Sequence, residues 1–130
     1  MFDWKKPTTQ MLGRWQPWHD GHTALFEKAL KKTGQVCIMF RDVSGVDARV
    51  DGQADNPFEF DEVKKRIIDG LSAHGYKYEK EYVVLKVPNI TDISYGRGVG
   101  YTFTEHDLGE EIHKISATKI RKKMRDQDEL

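Results

Sequence analysis

The stretch Gly13-Arg14-Trp15-Gln16-Pro17-Trp18-His19-Asp20-Gly21-His22 decides how the rest of the chain is read. Before it, Thr9 to Leu12 can enter a sheet. After it, Leu25, Phe26, Ala29 and Leu30 recur on one face of a helix expected from about Gly21 to Lys32, with Gly34 as its stop. The stretch is therefore a strand-to-helix junction. In an open parallel α/β sheet such a junction lies at the carboxyl edge, where helix N–H groups and the macrodipole favour an anion. Gly21 permits a turn tight enough for His19 and His22 to meet one cluster of oxygens, as a phosphate chain would present. Singly, each residue has a structural explanation: a histidine at a helix start is usually a hydrogen-bonder, and Gly13 can simply end a strand. Together they have no shared packing explanation.

Working outward, Gln35 to Phe40 is a continuous apolar run expected to form a strand buried on both faces and paired beside the first. Strand, helix and strand make a right-handed βαβ unit, which brings Arg41 to the same edge as the motif. Residues 42–55 are polar and aperiodic, an active-site cover or plain disorder. Asn56-Pro57-Phe58-Glu59 reads as a helix opening, with Asn56 as N-cap, Pro57 at the first helical position and Glu59 reaching back. Phe60, Val63, Ile67 and Leu71 would be its buried stripe. A turn region with Gly75 follows, then a strand from Glu81 to Val87 that Pro88 ends.

The Tyr95-Gly96-Arg97-Gly98-Val99-Gly100 segment lacks the preceding strand and following helix of a dinucleotide fingerprint, and that reading is rejected. It is either a loop presenting Arg97 to a phosphate or a glycine turn before a strand at Tyr101 to Thr104. Residues 1–7 are expected to form a loosely attached arm, and 126–130 a polar tail. Between them Ser116 can cap a last helix running through Thr118, Ile120 and Met124.

At 130 residues the chain is read as one domain, large enough for a mostly parallel open sheet of about five strands with helices on both faces. It carries 21 basic and 21 acidic residues, a balance unlike that of proteins that coat nucleic acid or anionic membranes. No apolar run is long enough to span a bilayer and no secretory leader is visible, so a cytoplasmic protein is expected. The single cysteine, Cys37, lies in the second apolar run and reads as a buried structural thiol.

Gly13-Arg14-Trp15-Gln16-Pro17-x-His19-x-Gly21-His22 resembles the signature of the His-x-Gly-His nucleotidyltransferases, in the form nearest the nicotinamide-nucleotide adenylyltransferase branch. Ile115-Ser116-Ala117-Thr118-Lys119-Ile120-Arg121 resembles that superfamily's second element, Ile-Ser-x-Thr-x-Ile-Arg. Asn56-Pro57-Phe58 adds a weaker likeness to the adenylyltransferase branch. The resemblance implies a single Rossmann-like domain and transfer of a nucleoside monophosphate to a phosphorylated acceptor with release of diphosphate. It implies catalytic roles for His19, His22, Arg14 and Arg121, and nucleotide contacts from Gly13, Trp15, Gln16, Gly21, Ser116, Ala117 and Thr118. Arg41, Asn89, Asp92 and Arg97 are the candidates for acceptor or base contacts. Magnesium would travel on the triphosphate, with no protein ligand assigned to it, and homo-oligomers are common in similar enzymes.

Gly-Arg-Trp-Gln-Pro favours ATP, because cytidylyltransferases usually carry Gly-Thr-Phe-Asp there. Ile-Ser-Ala-Thr-Lys-Ile is similar to cytidylyltransferases for glycerol phosphate and related alcohol phosphates, so CTP with an alcohol or sugar phosphate is the alternative. A catalytically silent nucleotide-binding module would not need both histidines. A nucleic-acid binder built on the basic last helix fits poorly with balanced charge.

Overall fold

The computed structural model describes residues 1–43, 56–97 and 100–106. Three strands, β1 (Thr9–Gly13), β2 (Val36–Arg41) and β3 (Tyr82–Val87), form a parallel sheet in the order β1-β2-β3. Helix α1 (Asp20–Thr33) connects the first two, and α2 (Phe60–Ser72) precedes the third. In register, Gly13 stands beside Phe40 and Arg41 beside Val87. All three carboxyl ends therefore share one edge, as the βαβ reading requires.

One face of the sheet is the floor of the core. Met11, Val36, Ile38, Phe40, Tyr82 and Val84 form a single cluster with Phe26 and Ala29 of α1 and Val63, Ile67 and Leu71 of α2. Each fully buried aliphatic side chain contributes roughly 1.5–3 kcal/mol of transfer free energy. The stripe expected for α2 is present, with Phe60 at its half-buried margin. On the opposite face Leu12, Cys37, Met39 and Leu85 are half-buried, so β2 is fully buried on one side only. Cys37 is half-buried too, and burial raises its thiol pKa.

Gly34 ends α1 as expected, in the left-handed conformation with φ 90°, donating to the Leu30 carbonyl at 2.7 Å. The opening of α2 differs. The helix begins at Phe60 with Glu59 as its N-cap, and no side chain caps it. Asn56 accepts a hydrogen bond from Arg14 instead (3.2 Å), and the Phe58 backbone is held by Gln16, so 56–58 stays outside the helix.

The N-terminal arm is docked rather than loose. Phe2 is buried and its N–H donates to the Glu79 carbonyl at 2.6 Å. The buried Gln35 amide accepts from the Asp3 N–H (3.1 Å) and donates to the Asp3 carbonyl (2.6 Å) and Thr8 Oγ1 (2.7 Å). The strand expected at Tyr101 to Thr104 does not form; residues 101–106 carry no regular structure, and Tyr101 and Phe103 are exposed.

Tyr82 presents a simple test of the core. Its side chain is completely buried, and its hydroxyl has no hydrogen-bond partner among the described residues. An unsatisfied buried hydroxyl costs folding free energy. Tyr82→Phe is expected to match the parent or exceed it by about 1 kcal/mol in urea unfolding. A loss of more than that would reveal a partner for the hydroxyl.

Candidate functional site

At the carboxyl edge the motif leaves β1 and turns into α1. Trp15 takes a positive φ of 53°, unfavourable for a bulky side chain and common where the backbone is held for function. Its indole lies over Gly13, where an added Cβ would stand 2.8 Å from the ring, which explains the glycine. Trp15 Nε1 donates to the Met39 carbonyl at 3.0 Å, and Trp18 Nε1 donates to Thr23 Oγ1 at 2.9 Å. Gln16, only 2% exposed, donates from Nε2 to the Phe58 carbonyl (2.8 Å) and accepts the Phe58 N–H on Oε1 (2.9 Å). Trp15 and Gln16, expected to seat a nucleotide through the backbone of Gly13 to Gln16, have their side chains inside the protein.

His19 is the N-cap of α1, and its Nδ1 accepts the Gly21 N–H at 3.0 Å. His22, three residues later, accepts the His19 N–H on its own Nδ1 at 3.2 Å. Two imidazoles thereby form a reciprocal capping box, a role usually filled by Ser or Thr with Glu. The chemical consequence concerns tautomers. An Nδ1 that accepts a backbone N–H carries no proton, so in each neutral ring the proton resides on Nε2.

The two rings stack with centroids 3.7 Å apart and planes inclined by 18°. Burial lowers the His19 pKa, with nearby Asp20 opposing the shift. Burial, reinforced by His19, pushes His22 down to about 3. Both rings are therefore neutral donors at pH 7. In the unfolded chain His22 titrates near its ordinary ~6.5. Its folded pKa lies lower, so its contribution to stability is full above about 6.5 and is lost as the pH falls toward about 3. Between pH 7 and pH 5 the expected loss is about 2 kcal/mol in urea unfolding. Equal stability at the two pH values would rule out a neutral buried His22.

Arg14 directly follows β1 and Arg41 is the last residue of β2, so both lie at the carboxyl edge of the sheet. Neither has a carboxylate within ion-pair distance among the described residues. Arg14 donates to Asn56, and Arg41 donates weakly to the Ile90 carbonyl at 3.4 Å, while its buried Nε has no partner among the described residues. The Arg41 contact brings the segment after β3 to this edge. Asn89, Asp92 and Arg97 lie in that segment and are exposed, with Asp92 accepting from the Ser94 hydroxyl. Gly21 is buried in the first turn of α1. Ser116, Ala117, Thr118 and Arg121 lie outside the described residues, as do residues 44–55 of the expected cover.

Sequence reasoning missed Asn56, Thr23 and Trp18 as supports of the site. The signal for Trp18 was its place inside the motif; that for Asn56 was only the weaker likeness of Asn56-Pro57-Phe58, which does not point to a partner 42 residues away. Among the described residues, no group of three or more His, Cys, Asp or Glu side chains is arranged to hold a metal ion, and no helix is long and apolar enough to cross a membrane. No family model, curated protein or solved structure matches this chain.

Proposed function

We propose that the chain is a nucleotidyltransferase that moves a nucleoside monophosphate, most simply AMP from ATP, onto a phosphorylated small molecule. One observation carries this proposal: two neutral imidazoles, each with its proton on Nε2, sit at a helix N-terminus on the same sheet edge as Arg14 and Arg41, which have no carboxylate partner among the described residues. That donor set matches a polyphosphate, which offers oxygens and negative charge and no protons. The resemblance of Gly13 to His22 and of Ile115 to Arg121 to nucleotidyltransferase elements supports the same activity. On this proposal the three described strands belong to a Rossmann-like sheet of about five.

An oxygen of the acceptor phosphate attacks the α-phosphorus in line, the bond from that phosphorus to its bridging oxygen breaks, and diphosphate leaves. The nucleophile is already ionised, so no general base is needed; the protein orients the groups and stabilises charge. His19 and His22 donate from Nε2 to α- and β-phosphate oxygens as charge builds there. Arg14 supports them, Arg41 meets the acceptor phosphate, and Arg121 neutralises the departing diphosphate. Magnesium, when bound with the triphosphate, would supply further charge neutralisation.

Diphosphate release in the presence of magnesium, with ATP and CTP offered separately against a panel of phosphorylated acceptors, tests the proposal. Release with ATP and one acceptor is expected. Release with CTP and an alcohol or sugar phosphate would move the chain to the cytidylyltransferases. Silence with every pair would overturn the activity.

A further inference from the structure

We infer that Trp15 and Trp18 are positioning residues, which clamp the His22 imidazole in a single orientation and tautomer so that Nε2 is its one donor. His22 is enclosed by rings on several sides. His19 stacks on it, Trp15 approaches edge-on (centroids 4.8 Å apart, planes at 84°), and Trp18 lies at 5.3 Å and 50°. The indoles also touch each other, at 5.1 Å.

Neither indole is free to drift. Each is buried, and each is tied by its own N–H: Trp15 to the Met39 carbonyl on β2 and Trp18 to Thr23 on α1. Each also occupies a seat that a glycine leaves open. A Cβ on Gly13 would stand 2.8 Å from Trp15, and one on Gly70 of α2 would stand 3.0 Å from Trp18. Phenylalanine could fill either space but has no N–H to anchor it. Two anchored indoles therefore fix where the His22 ring lies, and the His19 N–H fixes which way round it lies.

The cage also opposes protonation on geometric grounds. A second proton would have to sit on Nδ1, where the His19 N–H already points, and two donors would then face each other. The titratable group that bears directly on His22 is His19, itself stacked and modulated by Asp20. From α2 the cage meets Gly70, and from β2 the Met39 carbonyl, so neither contact supplies a carboxylate to stabilise an imidazolium. The low pKa of His22 agrees with this enclosure. The part this plays in turnover rests on the nucleotidyltransferase proposal; the ring geometry does not.

Long-range proton–nitrogen NMR of the nitrogen-15-labelled full chain, titrated from pH 8 to pH 5, reads tautomer and charge directly. His22 is expected to show a bare Nδ1 and a protonated Nε2 throughout, without a titration step. In Trp18→Leu its midpoint should rise by about two pH units or more and so enter this range, with mixed tautomers, and the acid limb of diphosphate release should rise with it. A wild-type His22 that titrates near its ordinary value would overturn the inference, as would a folded Trp18→Leu with unchanged His22 signals. Should Trp18→Leu fail to fold, Thr23→Val removes only the acceptor for the indole N–H; tautomer mixing is expected there, and unchanged signals would count against the clamp. Absence of diphosphate release would overturn the proposed activity and leave the NMR result standing.

Discussion

His22→Ala is expected to lower diphosphate release on the order of a hundredfold or more, while the protein remains folded. The size follows from the kind of group removed. His22 is a donor whose ring is held in place before substrate arrives, in a site that burial has partly dried, and such donors cost two or more orders of magnitude in turnover when deleted. Substrate affinity should change less than kcat, because charge on the α- and β-phosphate oxygens grows only as the bond to diphosphate breaks. The variant loses one half of the capping box, a cost of about 1 kcal/mol that the core can absorb. Circular dichroism and urea unfolding would establish the fold, and a diphosphate assay the activity. Near-normal turnover in a folded His22→Ala protein would sink the mechanism.

Gln16→Leu is expected to destabilise the protein by about 2–4 kcal/mol, although leucine fills a similar volume. Gln16 is almost completely buried, and its amide makes two hydrogen bonds with the Phe58 backbone in the manner of a neighbouring strand. Leucine removes both while the Phe58 groups they serve stay inside. The same change loosens the contact between the motif and the segment that precedes α2, to which Arg14 is tied through Asn56. Activity should therefore fall even at temperatures where the variant is folded. Urea unfolding with an unchanged m-value gives the stability directly. A loss below about 1 kcal/mol would mean that the two bonds are replaced by others.

The elements were legible where periodicity is strong. Thr9 to Leu12, Gln35 to Phe40 and Glu81 to Val87 were expected as strands and are strands to within a residue at their ends. The first helix and its Gly34 stop were equally plain, because an amphipathic stripe ending at glycine has few other solutions. Reading failed where one side chain had two competing partners. Asn56 looks like an N-cap until Arg14, distant in sequence, takes its oxygen. The N-terminal arm looks loose until Gln35 holds it. Tyr101 to Thr104 has strand composition, but composition cannot supply a neighbouring strand.

The candidate site divides along the same line. From the sequence alone came the strand-to-helix junction, the two histidines at its helix start and the arginines at the strand ends, because each follows from local spacing. Only the tertiary structure decided that Trp15 and Gln16 turn inward, that each histidine offers Nδ1 to the backbone, and that His22 is neutral. Those outcomes depend on which buried donor finds which acceptor across the fold, and hydrogen bonds between residues far apart in the chain leave no periodic trace in it.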